Sequence, residues 1–326
     1  MMLDLHGLHI RLFTGMDCYP ADPVMPEGTP VDLVWHRHIA DTLPPGNNGE
    51  AQRRSGPGGE WLDLTYGPGD GQCHCTFSLS PDGRQVVSRS LAQVPAADLM
   101  TLFAEPVMRS VFRRHGMLSL HGAALAHGGQ AVLLLGDKGA GKSTLAAALL
   151  RAGWQMLTDD LARVIARDKT WLVTPGFAQL KMTAQTATAM GHELAVMARR
   201  WTAPQAGSDA AVNKYVVNLP PAPAPLPLRA ICILAPLPPH ADEPSLTALP
   251  PDQSARAVLA NISDDPADPG ALLPPALLAQ AFAMIGQVPV YRLAVPRRFA
   301  ALDQATDLLA ALCETLAPHQ KAGLPS

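Results

Sequence analysis

The sequence predicts an α/β protein with a mixed sheet, in which a nucleotide-binding domain follows a small β-rich N-terminal domain. Three observations support this prediction. A glycine-rich phosphate-loop motif lies between an apolar strand and a helix-forming run, short strands dominate before residue 95, and helical spacing alternates with buried strands after it. We place the domain boundary near residue 94, which gives domains of residues 1–94 and 95–326.

Composition restricts the class of protein. The 326 residues suffice for one large or two ordinary domains, and 48% of them are hydrophobic. Charged residues make up 16% and the net charge is -3, which gives no electrostatic reason to expect nucleic acid or an anionic membrane as a partner. The N-terminus carries no signal-peptide pattern, and no apolar run approaches ~18 residues. Five cysteines, an odd number, suit a reducing compartment, so we expect a cytoplasmic protein.

The N-terminal region reads as strands followed by a helix. Alternating apolar residues predict strands at residues 8–14, 31–39, 61–66, 73–79 and 84–90. The Pro- and Gly-rich residues 43–60 predict a loop. Residues 96–115 have helical spacing, in which Pro106 either kinks the helix or starts its second half. Cys73, His74 and Cys75 could suggest a metal site, but their spacing is wrong for zinc and they alternate within a predicted strand.

A hairpin leads into the phosphate-loop motif. Apolar residues 117–126 and 131–135 flank His127-Gly128-Gly129-Gln130, and a Gly-Gly pair between two such runs is a strong two-residue turn signal. If His127 faces Gln130, then His121 lies opposite Gly136. In common P-loop ATPases the loop strand has parallel neighbours reached through crossover helices, so an antiparallel hairpin points to another class.

The strongest motif is the phosphate loop itself. Residues 136–143 read GDKGAGKS and fit the pattern G-x-x-x-x-G-K-[ST] at every position. Glycines let backbone N–H groups turn toward phosphate oxygens, and the following helix adds positive potential at its N-terminus. We expect ATP and Mg²⁺ here, with Lys142 reaching the β- and γ-phosphates and Ser143 ligating the metal. The predicted nucleotide-binding residues are Gly136, Asp137, Lys138, Gly139, Ala140, Gly141, Lys142, Ser143 and Thr144.

Asp159 and Asp160 form a second candidate element. They end a predicted strand at residues 155–158, 17 residues beyond Lys142, which returns two carboxylates to the sheet edge that carries the loop. One carboxylate can hold Mg²⁺ while the other accepts a proton from an attacking hydroxyl. A solvated pair that caps a turn is the alternative reading.

Together these elements resemble the HPr kinase/phosphorylase family, whose catalytic domain has a phosphoenolpyruvate-carboxykinase-like nucleotide fold. In that family a His-Gly pair precedes the phosphate loop and an Asp-Asp pair follows it, at the intervals seen here between His121 and Asp160. The resemblance implies that His121 lies near the γ-phosphate, that Asp159 is the general base and that Asp160 is the metal-side partner. Lys142, which the loop motif directs toward the phosphates, completes the predicted catalytic set, and the resemblance also implies that the chain can form homo-oligomers.

The chain departs from the family after the aspartates. HPr kinases carry a signature of the type EVRGLGI, whereas residues 174–182 here read TPGFAQLKM. This departure puts HPr recognition and reverse phosphorolysis in doubt. The sequence looks closer to divergent HPr-kinase-like enzymes that tailor ribosomal peptides, including kinases of the C-terminal serine of lasso-peptide precursors. Lys181, Lys214 and Arg229 are further candidates for binding phosphate, and the alternative for each is a solvated surface charge.

The leading prediction is transfer of the γ-phosphoryl group to a serine hydroxyl of a peptide or small protein. A kinase of a small hydroxylated metabolite is the second reading, and an ATP-hydrolysing regulatory module is the third. The hairpin and the aspartate pair argue against the third, because they place a base where an acceptor hydroxyl would lie. Residues 1–94 serve either acceptor recognition or structural support, and the sequence leaves both open.

Overall fold

The chain folds into a mixed α/β arrangement with several sheets, as seen in a computed structural model. The structure describes residues 2–13, 31–46, 49–67, 74–191, 193, 198–200, 214–220, 222–235, 242–266 and 270–316. None of the helices within these ranges has the length and apolar character needed to cross a bilayer.

Strands dominate the N-terminal third, and helices become frequent after it. The strands are β1 (Met2–Leu5), β2 (Leu8–Phe13), β3 (Leu33–Ala40), β4 (Glu50–Gly56), β5 (Gly59–Tyr66), β6 (Cys75–Leu79), β7 (Gln85–Leu91), β8 (Ser119–Leu120), β9 (Ala123–His127), β10 (Gln130–Leu135), β11 (Gln155–Thr158), β12 (Ala162–Arg167), β13 (Thr170–Val173), β14 (Gln179–Met182), β15 (Ala198–Arg200), β16 (Lys214–Asn218), β17 (Leu226–Ala235), β18 (Ser245–Ala248) and β19 (Val290–Ala294). The α-helices are α1 (Ala96–Leu102), α2 (Met108–Arg114), α3 (Lys142–Arg151), α4 (Ala184–Ala189), α5 (Pro251–Leu259), α6 (Pro275–Ile285) and α7 (Leu302–Leu316). A π-helical turn, Phe103–Val107, joins α1 to α2, and a 3-10 turn, Phe299–Ala301, precedes α7.

The N-terminal strands form one sheet in the order β1-β2-β3-β7-β6-β5-β4. Strand β5 alternates between buried and half-buried residues, with Leu62 and Leu64 pointing inward. The inner face is covered by α1, the π-helical turn and α2, and Phe103 of that turn stacks on Trp35 at 4.0 Å between ring centroids. The helical segment therefore shares its hydrophobic core with the N-terminal sheet.

The prediction of a loop at residues 43–60 is wrong over part of its length, because β4 occupies residues 50–56. Strand β4 lies at the edge of the sheet and its middle residues are polar and exposed, so it lacks the apolar alternation that predicts a strand. Ion pairs hold it to β5: Arg53 lies 2.6 Å from Glu60, and Arg54 lies 2.6 Å from Asp63.

The second large sheet is mixed and carries the phosphate-loop motif. Its order is β11-β9-β10-β17-β13-β12-β8, and β19 adds to β17 and β18 to β19. Strand β10 pairs antiparallel with β9 on one side and parallel with β17 on the other. Gln130 faces His127 across the turn, which confirms the predicted register of the hairpin.

Helices cover both faces of this mixed sheet. Along β10, Val132 and Leu134 face a core shared with α3 and α7, whereas Leu133 and Leu135 face a core shared with α5 and α6. A strand buried on both faces reads as a continuous apolar run, as residues 131–135 do. The phosphate-loop motif thus begins where a firmly packed strand ends.

Candidate active site

The phosphate-loop motif connects β10 to α3. Residues 137–139 are exposed, and Gly141, the residue before α3, has φ +100°, a conformation that glycine adopts without the steric cost of a Cβ. A Cβ placed on Gly139 or Gly141 would meet no heavy atom of the described residues within 4 Å. The loop therefore borders open space at the N-terminus of a helix, where anions are favoured.

The Lys142 side chain makes hydrogen bonds to the beginning of its own loop. Its ammonium Nζ donates to the carbonyl oxygen of Gly136 at 2.5 Å and to that of Asp137 at 3.3 Å. The positive charge thus lies across the mouth of the loop, within the set of groups that the sequence predicts to bind nucleotide. Ser143 follows in the first turn of α3, whereas the hydroxyl of Thr144 lies 3.0 Å from that of Thr186 in α4.

His121 and Gly122 interrupt the predicted run at residues 117–126, so that β8 and β9 are separate strands. Gly122 approaches the next strand closely: a Cβ at this position would lie 2.5 Å from the carbonyl oxygen of Leu134. Only glycine fits this close approach. The hydrogen-bonded ladder between β9 and β10 ends with Ala123 opposite Leu134, so His121 lies outside it.

Asn261, two residues after α5, joins His121 to the phosphate loop. Its side-chain oxygen accepts from the Gly136 N–H at 3.3 Å, and its carbonyl oxygen accepts from the His121 N–H at 2.7 Å. The Asn261 amide Nδ2 in turn donates to Ala257 at 2.8 Å, which fixes the side chain. The predicted proximity of His121 and Gly136 is therefore achieved through Asn261 and not by direct strand pairing.

Asp159 and Asp160 lie in a tight turn between β11 and β12. Thr158 Oγ1 donates to the Leu161 carbonyl at 2.8 Å, and Asp160 has φ +60°, a left-handed conformation that aspartate tolerates better than most residues. His121 Nδ1 lies 3.0 Å from the Asp160 carbonyl oxygen. Because a carbonyl oxygen only accepts, Nδ1 carries the hydrogen and Nε2 is the acceptor nitrogen of the ring.

A buried lysine of β14 completes this group. Lys181 Nζ donates to Asp160 Oδ2 at 2.9 Å and also to Glu105 Oε1, and its backbone N–H donates to Asp159 Oδ2 at 3.3 Å. The Lys181 side chain is 7% exposed, so it is not the solvated surface charge that was its alternative reading. The Lys181 ammonium therefore contacts the carboxylates of Asp160 and Glu105, and the Lys181 backbone N–H contacts the carboxylate of Asp159.

The electrostatics of the group differ from one residue to the next. Burial raises the pKa of Asp159 to about 8, the Asp160 carboxylate adds to the rise, and Lys181 opposes it. Burial also raises the pKa of Glu105, against the opposing charge of Lys181. For Lys181, burial alone would lower the pKa, but the carboxylates of Asp160 and Glu105 outweigh it and raise the pKa. Asp159 can therefore hold or release a proton close to neutral pH.

His121 is poised as a neutral imidazole. Burial lowers the pKa of His121, and the nearby Asp160 only partly opposes this shift. A neutral ring with its hydrogen on Nδ1 can accept a hydrogen bond at Nε2 but adds no charge to the site.

Arg229, another of the sequence candidates, lies apart from this group. Arg229 is at an irregular position of β17 beside Ala131 and Val132, the start of β10, so about 13 Å of strand separates it from Gly136. The Lys214 side chain and Cys73 lie outside the part of the chain that the structure describes. Cys75 is a buried residue of β6, and the described residues contain no cluster of three or more potential metal ligands.

Sequence reasoning missed Glu105 and Asn261. Glu105 belongs to the helical segment that covers the N-terminal sheet, and Asn261 follows a helix near the C-terminal third of the chain. Neither lies in a motif, because both reach the site through tertiary packing. The weak signals were a Glu-Pro pair inside a helical pattern and an asparagine at a helix end.

Comparison with known proteins confirms the resemblance inferred from the motifs. A family described as SynChlorMet cassette protein ScmC matches residues 94–188. HPr kinase/phosphorylase from Limosilactobacillus reuteri strain DSM 20016 is 46% identical over 55 residues, and the protein from subsp. reuteri strain JCM 1112 gives the same values. This similarity spans 17% of the present chain and 17% of the relatives' length.

One solved structure, the Hpr(Ser) kinase/phosphatase from Coxiella burnetii, matches with a TM-score of 0.31 and 14% sequence identity. The match covers 60% of the present chain and 97% of the other. In sequence, the similarity to HPr kinase/phosphorylase covers a segment of 55 residues.

Proposed function

We propose that the chain is an ATP-dependent phosphotransferase with a P-loop domain of HPr-kinase type at residues 95–326 and an accessory domain at residues 1–94. One observation carries the proposal. A continuous path of hydrogen bonds runs from Gly136 of the phosphate loop through Asn261 and His121 to the Asp159–Asp160 turn. The loop motif and the carboxylates are therefore parts of one site.

The loop residues would bind the nucleotide. Open space borders the backbone of Gly139 and Gly141, and the N-terminus of α3 favours negative charge there. In the proposed complex Lys142 exchanges its loop carbonyl partners for phosphate oxygens, which are stronger partners because they are charged. The remaining residues of the motif, from Asp137 to Thr144, shape the loop and begin the helix.

The two aspartates would divide the chemistry. Asp160 is the more exposed, with 20% of its side chain accessible, and with the Ser143 hydroxyl it offers the oxygen ligands that Mg²⁺ prefers. Mg²⁺ would supply neutralisation of the charge on the transferred phosphoryl group. Asp159 is buried, and its raised pKa suits a base that removes the proton from an acceptor hydroxyl. His121 orients the turn through the Asp160 carbonyl.

The proposed acceptor is a serine hydroxyl on a flexible peptide segment near a chain terminus. A base beside the phosphate loop needs an acceptor that can enter at the sheet edge, and a peptide end does so without a docking surface. Threonine carries an extra methyl group that crowds in-line attack, and the tyrosine ring holds its oxygen too far out. The matches to ScmC and HPr kinase/phosphorylase are compatible with a protein or peptide substrate.

The experiment is incubation of the protein with Mg²⁺-ATP and a degenerate peptide library that carries serine, threonine or tyrosine at internal and terminal positions. Mass spectrometry then locates the phosphate. We expect phosphoserine near a terminus, and we expect Lys142→Ala to abolish transfer and ATP binding. Lys169→Ala, which removes an exposed lysine in the β12–β13 turn, is the matched control and should leave both unchanged.

The same assay decides between the candidate acceptors. Phosphate found only on added free sugars or nucleosides, or on the regulatory serine of added HPr, would reject the peptide acceptor while retaining the kinase. Full turnover of Mg²⁺-ATP by Lys142→Ala would reject the assignment of the phosphate loop, and with it the proposed location of the active site.

A further inference from the structure

Glu105 reaches the candidate site from an unexpected part of the chain. It lies in the π-helical turn Phe103–Val107, in which the side chains of Phe103, Ala104 and Val107 are buried in the core of the N-terminal sheet. Pro106 lacks the N–H that a regular helix would need, so the widened turn falls where the α-helical ladder is already interrupted. Single π turns inside α-helices are frequent at functional sites.

The partner of Glu105 is a lysine that cannot be left unpaired. Lys181 is buried, and an isolated charge in that position would be strongly unfavourable. Its ammonium is shared between Glu105, which lies in the helical segment, and Asp160, which lies in the carboxylate turn. Lys181 thus joins the helical segment that covers the N-terminal sheet to that turn.

The Glu105–Lys181 ion pair is better suited to orienting neighbouring side chains than to stabilising the fold. A buried ion pair contributes little net stability, and well-packed apolar residues of similar volume are often at least as stable. The Glu105–Lys181 pair does, however, restrict where the ammonium can lie, and so restricts the Asp160 carboxylate that shares it. The Lys181 backbone N–H simultaneously holds Asp159 Oδ2 at 3.3 Å.

We propose that Glu105 is a positioning residue for phosphoryl transfer: it fixes Lys181, and Lys181 fixes the carboxylates of Asp160 and Asp159. The inference deepens the proposed function and rests on it. It makes the helical segment that packs on the N-terminal sheet a part of the catalytic apparatus. Glu105 acts through Lys181, whose ammonium donates to its carboxylate.

The test is Glu105→Gln, which keeps the shape of the side chain and removes its charge. We expect kcat for ADP formation from Mg²⁺-ATP, measured with the serine peptide library, to fall by about 10–10²-fold, the cost of a small misplacement of catalytic groups. The affinity for ATP without metal, measured by calorimetry, should stay within about twofold, because the phosphate loop is untouched. Glu60→Gln, which breaks an exposed pair with Arg53, is the control and should change neither quantity.

A double-mutant cycle with Lys181→Met tests whether Glu105 affects kcat through Lys181. If Glu105 acts through Lys181, the losses in kcat of the two single variants will not add in Glu105→Gln/Lys181→Met. Should Glu105→Gln fail to fold, this double variant, which removes both buried charges, decides by the same readouts. Loss of kcat with retained ATP affinity supports the inference, and kcat within about twofold of the wild type overturns it.

Failure of the inference and failure of the proposed function give different results. If Lys142→Ala and Asp159→Asn lose transfer while Glu105→Gln keeps it, the positioning role alone is wrong. If Lys142→Ala and Asp159→Asn keep full transfer, the assignment of the transfer reaction to this site is wrong and the role of Glu105 falls with it.

Discussion

Asp159 and Asp160 are neighbours in sequence but lie in different surroundings. Asp159 is buried and accepts backbone N–H groups of Asp160 and Lys181, whereas Asp160 has an accessible side chain held by the Lys181 ammonium. The sequence predicted two carboxylates at this edge of the sheet, but a motif alone does not show which one is buried. That difference arises from β14, which brings Lys181 against the turn.

The raised pKa of Asp159 gives a prediction for stability. A carboxyl group whose pKa is higher in the folded than in the unfolded protein stabilises the fold while it is protonated, and this contribution is lost as pH rises toward the folded pKa of about 8. Asn at this position is neutral at every pH. We therefore expect the Tm of Asp159→Asn minus that of the wild type to become more positive between pH 5 and pH 9.

Asn also lacks one acceptor oxygen, but that cost is independent of pH. The change of the Tm difference with pH is therefore diagnostic, and its size at a single pH is not. Thermal unfolding followed by circular dichroism at several pH values measures this difference. Asp168→Asn, an exposed aspartate with a similar positive φ, should show a constant difference. A constant or falling difference for Asp159→Asn would contradict burial of this carboxyl group.

At the scale of elements, the hairpin and the phosphate-loop strand follow from the sequence because their signals are local. Gly128 and Gly129 mark the turn, and residues 131–135 form an apolar run, so register and burial were both predictable. Strand β4 was missed since an exposed edge strand has no apolar alternation. The sequence predicted an irregularity at Pro106, either a kink or the start of a second half of the helix, but not that it would be a π-helical turn.

The break between β8 and β9 gives a prediction at the same scale. In Gly122→Ala the new Cβ would lie 2.5 Å from the Leu134 carbonyl oxygen and 2.5 Å from a Leu135 methyl group, so β9 and β10 must separate. We expect a loss of about 1–3 kcal/mol in the free energy of unfolding, as for other overpacked positions. Chemical denaturation measures this value.

Gly286→Ala is the control for that variant. Gly286 has φ -68°, and its Cβ would find its nearest neighbour at 3.5 Å, an ordinary contact, so its stability should change far less. Equal stability of Gly122→Ala and the wild type would show that the close approach at Gly122 is not a constraint on the turn that carries His121.

At the scale of the whole molecule, the candidate site is assembled from parts far apart in sequence. The phosphate loop, His121 and the aspartate pair occupy one stretch of the chain, and for this reason sequence reasoning found them. Glu105 comes from the segment that covers the N-terminal sheet, and Asn261 comes from the end of α5. Their roles depend on how the two large sheets and their helices pack, which no local pattern records.

The N-terminal region contacts the mixed sheet at a second place. The His6 N–H donates to the Pro175 carbonyl at 2.7 Å, and Arg163 Nη1 of β12 donates to the His6 carbonyl at 2.7 Å. Burial lowers the pKa of His6 to about 4, so the ring is neutral at this contact. Together with Glu105, this contact ties the first sheet to the carboxylate side of the candidate site and favours a joint role for both regions.

We propose Asp159 as the base for transfer from ATP to a hydroxyl and Asp160 as the metal-side partner. The most direct measurement compares wild type, Asp159→Asn, Asp160→Asn and the control Asp168→Asn in one assay of phosphate transferred to the serine peptide library, with ATP affinity measured with and without Mg²⁺. We predict that Asp159→Asn keeps Mg²⁺-ATP affinity and loses transfer by ~10²–10⁴-fold, while Asp160→Asn loses the Mg²⁺-dependent part of the affinity. Undiminished transfer by Asp159→Asn, or the same full loss of ATP binding in both variants, would contradict the account.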